Sequence, residues 1–285
     1  MAAPLLAVDA PSLLFRAFFA LPRSITDDAG RPVNALLGTA NLVLYVVERH
    51  APRAVALCWG AEAAAYRAEL FAAYHADRPP MPPELEPQWR DAPAFFGAFG
   101  WPSLYAGELE ADDLLGSLAR VETAAGGEAL LFTGDRDMFQ CVGEAVKVLF
   151  PRGGKDGPEL VDAAGVRERY GVEPAQVPDF IALRGDPSDG LPGARGIGAK
   201  TARDLLRTHG TLENVIAAAA RPGRMTPRQA GALTADADAL RAFKDIATLR
   251  ELDVERPPDA PLDRAGAAAA ARERGMKRLA ERLDP

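Results

Sequence analysis

The sequence predicts an α/β fold: a parallel sheet covered by helices, followed by a mostly helical region. Three observations carry this. Short apolar runs bounded by glycine or acid recur at Leu5-Leu6-Ala7-Val8, 54–59, Ala129-Leu130-Leu131-Phe132 and 146–150, and uninterrupted runs of that length read as strands buried on both faces. Stretches with 3.6-type apolar spacing separate the early runs, which gives the strand–helix–strand order of parallel crossovers. Past about residue 175 the strand signals stop and alanine- and arginine-rich helical stretches take over. The expected division is an α/β core over 1–175 and a helical region over 176–285.

The bulk numbers bound what such a chain can do. At 285 residues, 48% hydrophobic and 26% charged, it can bury a substantial core as one large or two moderate units. A net charge of −7 excludes a generally basic nucleic-acid coat. It does not exclude a nucleic-acid enzyme, because a carboxylate-rich metal centre carries negative charge that its ions offset. Two cysteines are too few for a disulfide framework and point to a reducing cytoplasm, and the three histidines form no zinc pattern. The N-terminus lacks a basic start and Asp9 interrupts its apolar run, so no secretory signal is expected. The apolar stretch within 36–47 is too short to span a bilayer, and no membrane partner is expected.

Element by element, the first strand ends in Asp9, and a helix over 12–19 follows with Pro11 in its first turn. A helix over 34–49 leads to the strand 54–59. Residues 66–75 look helical, the run Arg78-Pro79-Pro80-Met81-Pro82-Pro83 breaks them, and a helix resumes over 87–99. Such a proline-rich excursion is a rigid surface connection or a cap over a substrate, and the residues alone favour the connection. Glu110-Ala111-Asp112-Asp113 opens a helix that ends at Gly126-Gly127; the strand from Ala129 then runs into Thr133-Gly134-Asp135-Arg136-Asp137. A polar glycine-rich turn is expected at 152–158, helices at 161–170 and 174–183, and breaks at Pro222-Gly223, Pro227 and Pro257-Pro258.

The chemistry concentrates in two acidic clusters framing one strand. Asp135 and Asp137 fall at the carboxyl end of a buried strand, where open α/β sheets gather functional residues. Glu110, Asp112 and Asp113 lie at a helix N-terminus, which favours carboxylates. Either cluster alone reads as a helix cap plus solvated acids. Together they would repel strongly unless divalent cations sat among them, and all-oxygen ligands suit Mg²⁺ or Mn²⁺.

A second signal follows Asp186-Pro187-Ser188-Asp189-Gly190. In Arg195-Gly196-Ile197-Gly198-Ala199-Lys200-Thr201-Ala202, glycines permit a tight hairpin whose free amides, helix N-terminus and Lys200 suit a phosphate. The P-loop spacing is absent. The stretch resembles helix-hairpin-helix elements, over about 183–210, which grip the DNA backbone without reading bases. Arg195, Lys200, Arg203, Arg207 and His209 make this face locally basic.

In this order the motifs resemble the 5′ nuclease family: the N-terminal domain of bacterial DNA polymerase I, phage 5′ exonucleases and flap endonucleases. The likeness rests on Leu6-Ala7-Val8-Asp9 with Phe15-Arg16-Ala17-Phe18-Phe19, Tyr74-x-x-x-Arg78-Pro79-Pro80, Glu110-Ala111-Asp112-Asp113, Thr133 to Asp137, Gly185 to Gly193 and Gly196 to Ala202. It covers nearly the whole chain and thins after about Leu233. With no polymerase module in this sequence, it is similar to the stand-alone form. The resemblance implies a PIN-like nuclease core with a helical arch around 66–101, admitting a single-stranded 5′ end. It implies two or more Mg²⁺ or Mn²⁺ ions held by Asp9, Glu110, Asp112, Asp113, Asp135, Asp137, Asp186 and Asp189. Arg16 and Arg78 would contact the scissile region, and Tyr74 would stack on an unpaired terminal base. Arg195, Gly196, Gly198, Lys200, Thr201 and Arg203 would hold duplex DNA, with a K⁺ site at the hairpin. The implied partner is DNA with 5′ flaps or single-stranded 5′ ends, bound by a monomer.

Two departures from the family stand out. The second strand normally ends in a further metal-binding Asp, whose position here falls on Gly60, so eight of nine acids remain; Glu62 is the nearest substitute. The family's Tyr-Lys pair becomes Tyr74-His75, which exchanges a permanent charge for a titrating one. The arch also carries Glu69, Asp77, Glu84, Glu86 and Asp91, a poor lining for DNA. A DNA-structure-binding protein with weakened or lost catalysis is therefore the alternative reading, and a PIN-like ribonuclease the third.

Overall fold

The computed structural model describes residues 3–152, 157–221, 223 and 225–284. Six strands form one sheet: β1 (Leu5–Asp9), β2 (Ala54–Trp59), β3 (Ser103–Tyr105), β4 (Ala129–Phe132), β5 (Val146–Phe150) and β6 (Glu159–Val161), in the order β3-β2-β1-β4-β5-β6. The first five run parallel and β6 runs antiparallel to β5. Every residue of β1, β2 and β4 is buried, as their unbroken apolar sequences require. The chain winds outward from β1 through β2 to β3, then returns to lay β4 on the other side of β1. That reversal makes the carboxyl ends of β1 and β4 the switch point at which open sheets bind ligands. Topology alone therefore aims Asp9 and the residues after Phe132 at one site.

One face of the sheet is covered by α1 (Ala10–Ala20), α2 (Asn34–His50) and α4 (Glu86–Gly97). The other carries α5 (Ala111–Ala124), α6 (Ala163–Tyr170) and α7 (Val177–Arg184). The helical region continues through α8 (Ala199–His209), α9 (Leu212–Ala219), α10 (Pro227–Ala235) and α11 (Ala237–Ala247). The expected boundary near 175 is crossed twice by the packing. An extended segment after α11 runs back along the core: the Arg250 amide donates to Asp113 Oδ1 at 2.7 Å and the Leu252 amide to Ser117 Oγ at 2.9 Å. Then α12 (Arg264–Glu273) and α13 (Lys277–Leu283) bury Ala267, Ala271, Leu279 and Leu283 in the same cluster as α1, α2 and α4. Residues 264–283 thus belong physically to the α/β core, because their alanine stripe has an apolar face to bury there.

The excursion at 66–101 is only partly an arch. The helix expected over 66–75 is α3 (Ala65–Leu70), followed by turns at 72–77. The helix expected over 87–99 is present as α4, but Phe95, Phe96, Phe99 and Trp101 are fully buried, so this half is core. What spans the rim is the short segment 71–85. Neither β3 nor β6 is foreshadowed by an apolar run; each is a three-residue edge strand recruited by its neighbour. Of the expected turn 152–158, residues 153–156 lie outside the described residues, as does Pro222 of the expected break.

Candidate active site

Asp9 closes β1 and caps α1: its Oδ1 accepts the Ser12 amide at 3.0 Å, and its Oδ2 accepts the buried Thr133 hydroxyl at 2.6 Å. Thr133 Oγ1 in turn accepts the Asp135 amide at 3.0 Å, and Asp135 Oδ1 accepts the Asp137 amide at 2.8 Å. One hydroxyl therefore ties the ends of β1 and β4 together. Asp112, one residue into α5, projects toward the same place. Burial pushes the Asp9 carboxyl up to about 6, with the charge of Asp135 adding to it and Arg78 opposing. Burial, then Asp135 and Asp9, push Asp112 well above the ordinary carboxylate range. Burial raises Asp135 and Asp137 as well, and both feel Asp186 and Asp189. Asp186 is fixed by its own loop, where the Ser188 amide donates to Oδ1 at 2.9 Å and the Ser188 hydroxyl donates to the same oxygen. Six acids far apart in sequence thus act on one another across a single pocket.

Glu110 and Asp113 are bound up with Arg67 at the edge of that pocket, where Glu110 adds to the repulsion on Asp112. The Arg67 guanidinium lies 2.8 Å from Glu110 Oε2 and 2.9 Å from Asp113 Oδ1, and is 3% exposed. Glu110 further accepts the Ala64 amide at 2.8 Å and the Tyr74 hydroxyl, 3.1 Å from Oε1 and 3.0 Å from Oε2. Glu110 is the N-cap of α5 and forms a capping box with Asp113, whose Oδ2 accepts the Glu110 amide at 3.1 Å. These two acids are held by internal partners, whereas Asp112 Oδ1 is buried without any hydrogen-bond partner.

Among the described residues no three Asp, Glu, His or Cys side chains stand together at ion-holding spacing. The donor chemistry still fits hard divalent cations. The set is all carboxylate, one of its buried oxygens is orphaned, and burial with mutual repulsion raises Asp9, Asp112, Asp135 and Asp137 toward protonation, a condition a cation would relieve.

The segment 71–85 lies over this pocket. Tyr74 is 6% exposed, with its hydroxyl on Glu110 and its ring stacked on His75 at 3.8 Å. It is not presented to solvent as a stacking platform, contrary to expectation, because Glu110 offers its hydroxyl a buried acceptor. His75 adopts a left-handed backbone, φ 55°, that aims its ring at two acceptors: Nε2 lies 3.0 Å from Asp189 Oδ1 and Nδ1 lies 3.1 Å from the Glu62 carbonyl oxygen. Arg78 reaches the same two groups, at 3.5 Å and 3.4 Å. Arg16 is exposed on α1, beside Gly134 at the end of β4.

The space at Gly60 is filled. A Cβ there would sit 2.6 Å from Leu109 O and 2.5 Å from Glu110 C, against backbone that cannot yield. An aspartate at this position therefore requires a different path for 109–111. Glu62 is exposed and offers the site its carbonyl, not its carboxylate.

The hairpin between α7 and α8 is built as expected. Gly196 takes φ +78°, Ile197 anchors the turn in the core, and α8 begins at Gly198 with no side-chain cap on its amides. Arg195, Gly196, Gly198 and Lys200 are exposed, and Thr201 is half-buried. Arg203 is turned aside: it lies over Gly171 and pairs with Asp204 at 3.4 Å. Arg228 of α10, not anticipated from sequence, brings its guanidinium beside Gly196. Thr133, Ser188 and Arg67 were also missed as site residues. Thr133 lies inside a quoted motif and Arg67 beside one, but nothing in the sequence says what their side chains hold.

The family model for the 5′-3′ exonuclease N-terminal resolvase-like domain matches residues 4–171, and that for the 5′-3′ exonuclease C-terminal SAM fold matches 172–265. A 5′-3′ exonuclease of Streptomyces coelicolor is 36% identical over 97% of this chain and 97% of its own length. DNA polymerase I of Pseudomonas aeruginosa is 38% identical over 89% of the chain, which spans only 28% of that protein. Among solved structures, the T5 D15 protein co-crystallised with metal ions superposes with a TM-score of 0.71 at 16% identity, covering 98% of this chain and 96% of that one. The catalytic core of Rad2 in complex with DNA substrate gives 0.64 at 17%, covering 99% and 90%. Those two likenesses concern the fold. With both family models matched end to end over most of its length, this chain belongs to the 5′-3′ exonuclease family.

Proposed function

We propose that the chain is a divalent-metal-dependent, structure-selective nuclease that hydrolyses DNA phosphodiesters at 5′ flaps and single-stranded 5′ ends. The observation that carries this is the convergence of Asp9, Asp112, Asp135, Asp137, Asp186 and Asp189 at the switch point of the sheet. The T5 D15 structure was obtained with metal ions and the Rad2 core with DNA, which supports both halves of the reading. The six carboxylates would hold Mg²⁺ or Mn²⁺; Glu110 and Asp113 would position the pocket wall through Arg67. Bound there, the ions would supply an activated water and counter-charge for the phosphodiester transition state. Thr133 keeps Asp9 and Asp135 in register. Arg78 and Arg16 flank the acids and are placed to draw a phosphate toward them. The uncapped amides of α8, with Arg195 and Lys200, suit the phosphates of a duplex without reading its bases.

A labelled 5′-flap duplex incubated with Mn²⁺ tests this. The expected result is incision at or near the junction between single strand and duplex, abolished by chelation. Intact substrate despite normal duplex binding would overturn it.

A further inference from the structure

Behind the acid pocket, on the opposite face of the same rim, an aromatic file runs out to the sheet edge. The Phe15 ring of α1 meets Trp89 of α4 edge-on at 5.7 Å, Trp89 meets Trp59 at 5.3 Å, and Trp59 stacks on Tyr105 at 6.4 Å and 21°. Phe15 and Trp89 are half-buried, and the file passes through buried Trp59 to an open end. Trp59 is 4% exposed and held by its Nε1–H on Ser103 Oγ at 3.0 Å, whereas Tyr105 is 62% exposed. Strand register fixes its distance from the acids. Asp9 is level with Cys58, and Cys58 with Leu104. Tyr105 therefore sits one residue beyond a point two strand spacings, roughly 10 Å, from Asp9. An aromatic ring held rigid from behind and open in front is costly for a monomer to expose and well suited to a flat π-system.

We propose that Tyr105, backed by Trp59 and Trp89, is a stacking platform for bases of the unpaired 5′ strand as it leaves the acid pocket. This rests on the nuclease reading above. Continuity selects the occupant, because the platform and the candidate cleavage site share one sheet rim a short stretch of single strand apart. Every base has a π-face, so stacking here is tolerant of sequence, as a structure-selective enzyme needs. Tyr74, the expected stacking residue, is occupied by Glu110. The exposed ring at the end of β3 supplies the function that Tyr74 does not.

The test uses the full chain in EDTA, so that binding is read without cleavage. Anisotropy compares a 5′-flap duplex with the same duplex lacking the flap, and 2-aminopurine in the flap reports stacking. Tyr105→Ala is expected to weaken flap-duplex binding by about 5- to 50-fold, to leave unflapped duplex unchanged, and to relieve 2-aminopurine quenching. Tyr105→Phe should behave as the unmodified protein, and Leu160→Ala, an exposed apolar change at the far sheet edge, should do nothing. Unchanged flap affinity in Tyr105→Ala, or an equal loss on both duplexes, would overturn the proposal. A protein that fails to cut but keeps this discrimination would overturn the nuclease reading and leave the platform standing.

Discussion

Two groups of carboxylates sit at opposite ends of α5 and behave oppositely. Glu122, at the far end of α5, is fully buried, and Arg53 and Arg256 both close on it, Arg256 at 3.0 Å. Burial raises its carboxyl, but those two guanidiniums outweigh burial and bring it below the ordinary range. Asp112, at the near end, has other acids for neighbours and moves the other way. Arg67 pairs with Glu110 and Asp113 beside the site, but there burial outweighs the guanidinium and the Asp113 carboxyl stays raised. The lesson is that burial alone does not set a carboxyl's charge: two closing guanidiniums hold Glu122 ionised as framework, whereas Asp112, surrounded by other acids, is left for a counter-charge from outside the chain.

The sharpest break of that comparison is to remove one charge from each group. Asp135→Asn should cut flap cleavage by about 1,000-fold, as loss of a preorganised electrostatic group does. In EDTA at neutral pH it should raise resistance to urea, because a source of repulsion is gone. Glu122→Gln should do the reverse. It takes the shared carboxylate from Arg53 and Arg256 and leaves Arg53 only Asp259 and the Pro257 carbonyl oxygen, so unfolding free energy should fall by about 1–3 kcal/mol while cleavage per folded molecule is retained.

Gly60→Asp sharpens the comparison by adding an acid where the framework has closed. The clash with 109–111 predicts a loss of about 1–3 kcal/mol in urea denaturation and no gain in cleavage. A stable, faster variant would show that the backbone there is free to move.

The smallest effect expected is a pH dependence with two signs. Asp9 is raised in the folded state, so the folded chain binds the extra proton. Its contribution is present at low pH and is lost as pH rises from about 3.8 toward about 6. Glu122 is lowered, so its contribution is present above the ordinary glutamate range and is lost as pH falls below it. Thermal unfolding in EDTA should therefore show stability falling between pH 4 and 6.5, and Mn²⁺ should restore it most at the upper end.

Much of this was legible in sequence, and unevenly so. The strands β1, β2 and β4 announced themselves because a strand buried on both faces is apolar throughout, and β5 through the apolar residues around Lys147. The edge strands β3 and β6 did not, because three residues paired on one side need no such pattern. The acids were readable as a set, since residue type and motif order survive without coordinates. Their division into six that converge and two that serve Arg67 was not, because it depends on which way successive helical residues face. Tyr74 was misread for a related reason: the sequence shows an aromatic on a loop but not the carboxylate waiting beneath it. The return of α12 and α13 to the core was equally hidden, since an alanine stripe states that it packs but not against what.

What occupies the space between Asp9, Asp112, Asp135 and Asp186 decides whether these acids form a metal centre. Crystals of the unmodified protein soaked in Mn²⁺, with anomalous differences collected, address that directly. A metal centre gives at least two manganese peaks among these carboxylates, with the Arg67–Glu110–Asp113 cluster unmoved. An empty pocket at saturating Mn²⁺, or ions bound only elsewhere on the molecule, would contradict it.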